Sequence, residues 1–107
     1  MNIKEMHSTA DDVCELMTLL SNRNRLMILC LLTEGEKSVG QLAEAIGARD
    51  TAVSQQLAVL RRERIVKARR AGQTIFYGIV RPDVAELLEF LYAKYCGDTA
   101  PKQETSK

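Results

Sequence analysis

Apolar residues recur at helical spacing from the first residues of the chain onward. The first stripe predicts an amphipathic helix over residues 9–20, with apolar positions at Val13, Leu16, Met17 and Leu20. The next helix, over residues 23–33, contains "RLMILCLL", in which seven consecutive residues are apolar. A helix that is apolar on all sides is normally buried, so we expect this helix to lie in the core.

The following segment predicts two helices joined by a short turn. "SVGQLAEAIG" has Ser38 and Gln41 at the spacing of a capping box and stops at Gly47. After "ARD", another helix runs from about Thr51 to about Arg64. A short helix, a tight turn with glycine and a second helix are typical of a helix-turn-helix motif.

A predicted β-hairpin comes next in the chain. "IVKARRAGQTIFYGIV" predicts strands at about 65–70 and 74–80, around a turn at residues 71–73. Pro82 suits the first position of a last helix, which runs to Cys96 and stops at Gly97. The predicted fold is therefore mostly α with a β-hairpin: a winged helix-turn-helix of four helices, two strands and a fifth helix.

A chain of 107 residues predicts one domain. We place this domain at residues 9–97, after a flexible N-terminus over 1–8 and before a disordered tail over 98–107 that lacks apolar periodicity. The first and last helices carry apolar stripes without an obvious partner in so small a domain. We therefore expect them to pack on the core and also to pair with a second copy, in a homodimer.

Charge is unevenly distributed, although the formal net charge is only +1. Residues 1–48 sum to −3, residues 49–73 to +5 and residues 74–107 to −1. A basic block in an otherwise acidic chain indicates a phosphate-binding surface, and a solvated charged face is the simpler alternative.

The helix that starts near Thr51 has an outward polar face suited to DNA. Short hydroxyl and amide side chains match base edges in a major groove, which gives as base-reading candidates Thr51, Ser54, Gln55 and Gln56. Contacts to the DNA backbone or from the wing are assigned to Arg61, Arg62, Arg69, Arg70 and Gln73. Double-stranded DNA is the predicted partner, and a protein-interaction module is the alternative.

Other features narrow the class of protein. No apolar run reaches the roughly 18 residues of a membrane span, and "MNIKEMHSTADD" lacks a signal-peptide pattern. We therefore expect a cytoplasmic protein without membrane contact, whose thiols are kept reduced. The single histidine, His7, has no visible nucleophile partner, so we do not expect an enzyme. No cofactor is expected.

The chain resembles the ArsR family of bacterial winged-helix repressors. The similarity covers about residues 10–96 and is carried by Arg23 to Leu32, "SVGQLA", "VSQQLAVLR" and the wing ending "IFYGI". It implies a homodimer paired through the first and last helices, which binds an operator and leaves it when an inducer acts.

The resemblance also bears on which inducer is sensed. The arsenic, cadmium and lead branch has "ELCVCDL" where this chain has "EKSVGQL", so Ser38 and Gly40 stand in place of thiolates. The zinc and nickel branch uses carboxylate and histidine ligands on the last helix. Here that helix offers Asp83 and no histidine. Neither metal site is therefore expected.

Two of the three cysteines match the persulfide-sensing, BigR/SqrR-like branch of the family. The resemblance implies that Cys30 and Cys96 form a dithiol within one protomer, which persulfide links by a disulfide or polysulfide bridge, releasing the operator. By composition alone, Cys30 is a small buried hydrophobe. A thiophilic metal or metalloid, or general thiol oxidation, is the alternative inducer. Cys14 is interpreted as a filler of the dimer interface.

Overall fold

The order of elements confirms the winged helix-turn-helix. The structure, a computed structural model, describes residues 1–96, so Gly97 and the tail predicted over 98–107 lie outside the described residues. The elements are α1 (Ile3–Leu20), α2 (Arg23–Leu32), β1 (Lys37–Ser38), α3 (Val39–Ile46), α4 (Asp50–Arg62), β2 (Val66–Ala71), β3 (Thr74–Ile79) and α5 (Pro82–Tyr95). Helices α3 and α4 form the helix-turn-helix, and β2 and β3 form the wing.

Helix α1 begins six residues earlier than the sequence pattern predicts. The side chain of Asn2 caps it by accepting hydrogen bonds from the backbone N–H groups of Lys4 (2.9 Å) and Glu5 (3.4 Å). Residues 3–8 are therefore helical in the structure instead of the flexible segment that we expected. The cap supplies acceptors to otherwise unpaired N–H groups, which hydrophobic periodicity alone does not reveal.

The wing belongs to a three-stranded antiparallel sheet in the order β1-β3-β2. The sequence analysis missed β1, because two residues are too few to show an alternating pattern. Ser38 ends this strand and caps α3: its hydroxyl accepts from the Gln41 N–H (3.2 Å), and the Gln41 side chain accepts from the Ser38 N–H (2.9 Å). The predicted capping box is thus confirmed, and it fixes where strand turns into helix.

Helix α2 occupies the centre of the molecule. Ile28 and Leu29 are fully buried, and α2 packs against all four other helices and against β3. Helix α4 contributes Val53, Leu57 and Leu60 to the same core, and α5 contributes Val84 and Leu88. The helix that carries Cys30 therefore contacts both the second helix of the helix-turn-helix and the last helix.

Apolar side chains on α1 and α5 remain exposed. On α1 these include Met17, which is 44% exposed, and on α5 Phe90 and Tyr92, which are 56% and 63% exposed. The homodimer predicted through these two helices would cover them. Within residues 1–96, no helix is long and apolar enough to cross a membrane.

Truncating the core face of α4 tests this packing. Leu57 is 1% exposed, so Leu57→Ala is expected to lower the free energy of unfolding by about 2–5 kcal/mol, because it leaves a cavity. Gln55→Ala, at an exposed position of the same helix, is expected to change it by less than about 0.5 kcal/mol. Urea denaturation at one fixed protein concentration measures both. Equal effects of the two substitutions would contradict the burial of this face.

Candidate functional site

The exposed face of α4 and the wing border a common groove. Thr51, Ser54 and Gln55 are exposed on α4. Side chains of α4 and β3 line a cavity of about 430 Å³: Ser54, Ala58, Arg61, Arg62 and Tyr77. Two guanidinium groups beside a hydroxyl and a methyl group make a positively charged surface that can take a phosphate-bearing ligand.

Gln56 differs from the other three base-reading candidates because it points towards the protein. It is half-buried, and its Oε1 accepts a hydrogen bond of 2.9 Å from Nη1 of Arg25 on α2. Helical geometry explains this orientation: Gln56 follows Val53 by three residues and so flanks the buried stripe. The four predicted residues therefore do not share one face.

The wing places its two arginines on opposite faces of the sheet. Arg70 pairs with Ile75 and Arg69 with Phe76, and successive strand residues point to opposite sides. Arg70 therefore shares a face with Tyr77, which lines the α4 groove. Arg69 lies on the other face.

Arg69 is engaged within the protein. Its Nε and Nη2 donate to one oxygen of Glu36 at 2.8 and 2.7 Å, and its guanidinium lies 5.3 Å from the ring centre of Phe76. The hydrogen bond from Arg69 lowers the pKa of Glu36. In contrast, Arg70 forms no ion pair with any of residues 1–96.

The tip of the wing carries the last of the predicted DNA contacts. Gln73 is exposed between β2 and β3, next to Gly72, which has a φ of +64°. Glycine adopts this left-handed conformation without the steric cost that a side chain brings. The tight turn thus places Gln73 at the tip of the wing.

The structure brings Cys30 and Cys96 into electrostatic range of each other. Cys30 is half-buried on α2, and Cys96 is exposed at the end of α5, where its N–H donates to the Tyr92 carbonyl oxygen (2.8 Å). Burial raises the pKa of the Cys30 thiol, and negative charge on Cys96 raises it further. Cys14 is exposed on α1 and is not among the groups that shift this pKa.

A cavity of about 390 Å³ opens beside the Cys30 side chain. It lies between α2 and α5, and the residues lining it are Met27, Cys30, Leu31, Thr33, Glu34, Leu88, Glu89 and Tyr92. Its walls are mainly apolar, with two carboxylates and a tyrosine among them. A small molecule can therefore reach the sulfur of Cys30, although the helix around it is largely buried.

Asp83, the one metal-ligand candidate on the last helix, is engaged by a neighbouring arginine. Arg81 donates from Nε to Oδ1 (3.1 Å) and from Nη2 to Oδ2 (2.6 Å), and this bonding lowers the pKa of Asp83. In the part of the chain that the structure describes, no three or more His, Cys, Asp and Glu side chains cluster in a way that could hold a metal ion.

Three features of these sites were not foreseen from the sequence. They are the hydrogen bond between Arg25 and Gln56, the ion pair between Arg69 and Glu36, and the cavity beside Cys30. The two pairs are separated by 31 and 33 residues along the chain. No local spacing signals a pair so far apart.

Known proteins are similar to this chain in both sequence and fold. The model of the arsR family of bacterial regulatory proteins matches residues 22–68. The transcriptional activator HlyU of Vibrio cholerae is 38% identical over 96 residues, which span 90% of this chain and 89% of HlyU.

Two solved structures extend the similarity to three dimensions. The transcriptional repressor BigR from Xylella fastidiosa has a TM-score of 0.85 and 41% identity, covering 91% of this chain and 99% of BigR. A homodimeric winged helix-turn-helix DNA-binding domain from Mycobacterium bovis has a TM-score of 0.70 and 36% identity, covering 81% of each chain. This chain therefore belongs to the ArsR family of bacterial transcriptional regulators, in the branch that contains BigR.

Proposed function

We propose that this protein is a homodimeric repressor whose affinity for operator DNA is controlled by the Cys30–Cys96 pair, with persulfide as the inducer. The single observation that carries the proposal is that the half-buried Cys30 lines an apolar cavity between α2 and α5, the helix that ends at the exposed Cys96. A thiol reaction at this place acts on the helix at the centre of the core.

The homodimer supplies the symmetry that an operator needs. The exposed apolar side chains of α1 and α5 would be covered by the same helices of a second copy, and the similar domain from Mycobacterium bovis is homodimeric. Two copies of α4 would then enter half-sites about one helical turn of DNA apart. A change in the spacing of the two α4 helices would therefore change operator affinity.

DNA contacts are assigned by the exposure of each side chain. We assign Thr51, Ser54 and Gln55 to base edges, because they are exposed on one helix. Backbone and wing contacts fall to Arg61, Arg62, Arg70 and Gln73. Arg69 contributes less, because Glu36 and Phe76 already hold its guanidinium.

The sensing reaction is a two-electron oxidation of the two thiols by the sulfur–sulfur bond of a persulfide. The Cys96 thiolate attacks one sulfur of hydrogen disulfide, the S–S bond breaks, and hydrosulfide leaves. Cys30 then attacks the Sγ of the Cys96 persulfide, and a second hydrosulfide leaves. Two thiols and one H₂S₂ thus give one disulfide and two H₂S. Two thiols and three H₂S₂ give a tetrasulfide bridge and four H₂S.

The order of attack follows from the environments of the two thiols. Burial and the nearby charge of Cys96 raise the pKa of Cys30, which disfavours its thiolate, the form that attacks sulfur. Cys96 is exposed and can meet the inducer first. The bridge then closes in an intramolecular reaction, because both thiols belong to one protomer. The rate gain of an intramolecular reaction offsets the raised pKa of Cys30.

Replacing the thiols separates sensing from DNA binding. The DNA is an operator selected from a random library. We expect Cys30→Ser and Cys96→Ser to bind it as tightly as the unmodified protein. Both variants should stay bound when persulfide is added, because no bridge forms. Cys14→Ser is the matched control and should respond fully. Fluorescence anisotropy measures release, and intact-mass spectrometry with peptide mapping identifies the bridge. A persulfide response retained by either Cys30→Ser or Cys96→Ser would contradict the proposal.

The same assay distinguishes persulfide from the alternative inducers. With persulfide, we expect a Cys30–Cys96 bridge, either a disulfide or a longer polysulfide, whereas treatment with peroxide should leave both thiols free. Equal release by peroxide would indicate general thiol oxidation. Release by arsenite with metalloid bound to the protein, measured by elemental analysis, would instead indicate a thiophilic ligand.

The two wing arginines are expected to differ in their effect on DNA binding. Arg70→Gln should reduce the slope of log affinity against log salt by about 1, because the Arg70 guanidinium on the wing has no ion pair within residues 1–96 and can neutralise one phosphate. Arg69→Gln should change this slope less, because its charge is already paired with Glu36. Titrations of one duplex at several salt concentrations measure both slopes. A larger change for Arg69→Gln than for Arg70→Gln would contradict the assignment.

A further inference from the structure

Arg25 connects three helices through one side chain and its own backbone. Its N–H donates to the Asn22 side chain that caps α2 (3.0 Å), its Nε donates to the Leu19 carbonyl oxygen on α1 (2.8 Å), and its Nη1 donates to Gln56 Oε1 on α4 (2.9 Å). Because a guanidinium is planar and rigid, donors in this fork fix the relative directions of their acceptors.

The acceptor on α1 is a group that its own helix leaves unsatisfied. Leu19 lies in the last turn of α1, where carbonyl oxygens have no N–H donor within the helix. Arg25 supplies that donor from α2. Its guanidinium donates hydrogen bonds to this carbonyl and to the Gln56 amide. No carboxylate of residues 1–96 forms an ion pair with it.

The acceptor on α4 lies next to the DNA-facing surface. Gln56 is half-buried, whereas Gln55 is exposed and Leu57 is buried. A hydrogen bond at the edge of the buried stripe resists rotation of α4 about its own axis. Such a rotation would turn Ser54 and Gln55 away from the direction in which they now point.

We propose that Arg25 is a positioning residue for sequence-specific DNA binding: through Gln56 it sets the orientation of α4 relative to α1. Helix α1 carries part of the apolar surface assigned to the dimer. The Arg25 bonds to Leu19 and Gln56 therefore also set the orientation of each α4 relative to the partner subunit. The inference rests on the DNA-binding and dimer parts of the proposed function, not on the thiol chemistry.

The test compares the affinity for a selected operator with the affinity for a scrambled duplex of equal length, in fully reduced protein. Arg25→Lys keeps the charge but loses the planar fork, and Gln56→Ala removes the acceptor. Each is expected to lower the operator-to-scrambled affinity ratio roughly tenfold, because misdirected base contacts are lost while phosphate contacts remain. Partial unfolding would instead lower both affinities in parallel.

Two further variants show whether Arg25 acts through Gln56. The double variant Arg25→Lys, Gln56→Ala is expected to lose no more than either single one, since both remove the same hydrogen bond. Gln56→Glu keeps an acceptor for Arg25 and should retain most of the affinity ratio, whereas a Gln56 that bound bases directly would lose it. Arg23→Lys, at an exposed position of the same helix, is the matched control.

The affinity ratios of the Gln56 variants decide whether Arg25 is a positioning residue. An unchanged affinity ratio in Gln56→Ala, or additive losses in the double variant, would overturn the proposal. If Arg25→Lys fails to fold by circular dichroism, Gln56→Ala and Gln56→Glu decide the matter between them. Because every measurement uses reduced protein, failure here leaves the Cys30–Cys96 proposal intact. If persulfide forms the Cys30–Cys96 bridge but the protein binds the operator and the scrambled duplex equally, the DNA-binding part of the proposed function is refuted instead.

Discussion

The burial of α2 is the constraint on which the rest of the structure depends. Ile28 and Leu29 are completely buried, and the helix packs against α1, α3, α4 and α5. Protein interiors are packed like organic crystals, so a central helix cannot move without displacing its neighbours. We therefore expect an event that shifts α2 relative to α5 to be transmitted to α4.

Cys30 and Arg25 lie on this same helix and face different neighbours. Cys30 lines the cavity between α2 and α5, while the Arg25 side chain bonds to α1 and α4. In the proposed mechanism, a covalent bridge between Cys30 and Cys96 changes how α2 sits on α5, and Arg25 lies on the route from α2 to α4. A coupling free energy of about 1–3 kcal/mol changes operator affinity by roughly 5- to 150-fold.

Local patterns in the sequence were enough to predict most of the fold. The capping box at Ser38, the glycine at Gly47 and the apolar spacing on α4 are signals within a few residues of one another, and the structure confirms them. The early start of α1 was missed because it depends on the Asn2 side chain rather than on apolar spacing. Strand β1 was missed because it exists only through its pairing with β3.

The candidate sites were less predictable, because their details depend on distant parts of the chain. Side-chain type grouped Gln56 with the base-reading residues, and the sequence analysis treated Arg69 and Arg70 alike. The structure turns Gln56 towards Arg25 and pairs Arg69 with Glu36. The meeting of α2 with the end of α5 near Cys30 and Cys96 likewise follows only from tertiary packing. The expectation of a Cys30–Cys96 pair came from the family resemblance, because the spacing of the two cysteines carries no such signal.

The most direct test of the coupling is the reduction midpoint potential of the Cys30–Cys96 disulfide, measured with and without saturating operator in a Cys14→Ser background. If bridging weakens operator binding, linkage requires that the operator stabilise the dithiol by the same factor. The account therefore predicts a less negative midpoint with DNA, by about 30 mV for each tenfold difference in affinity. An identical midpoint, with DNA bound throughout the titration, would contradict the claim that this thiol pair controls operator binding.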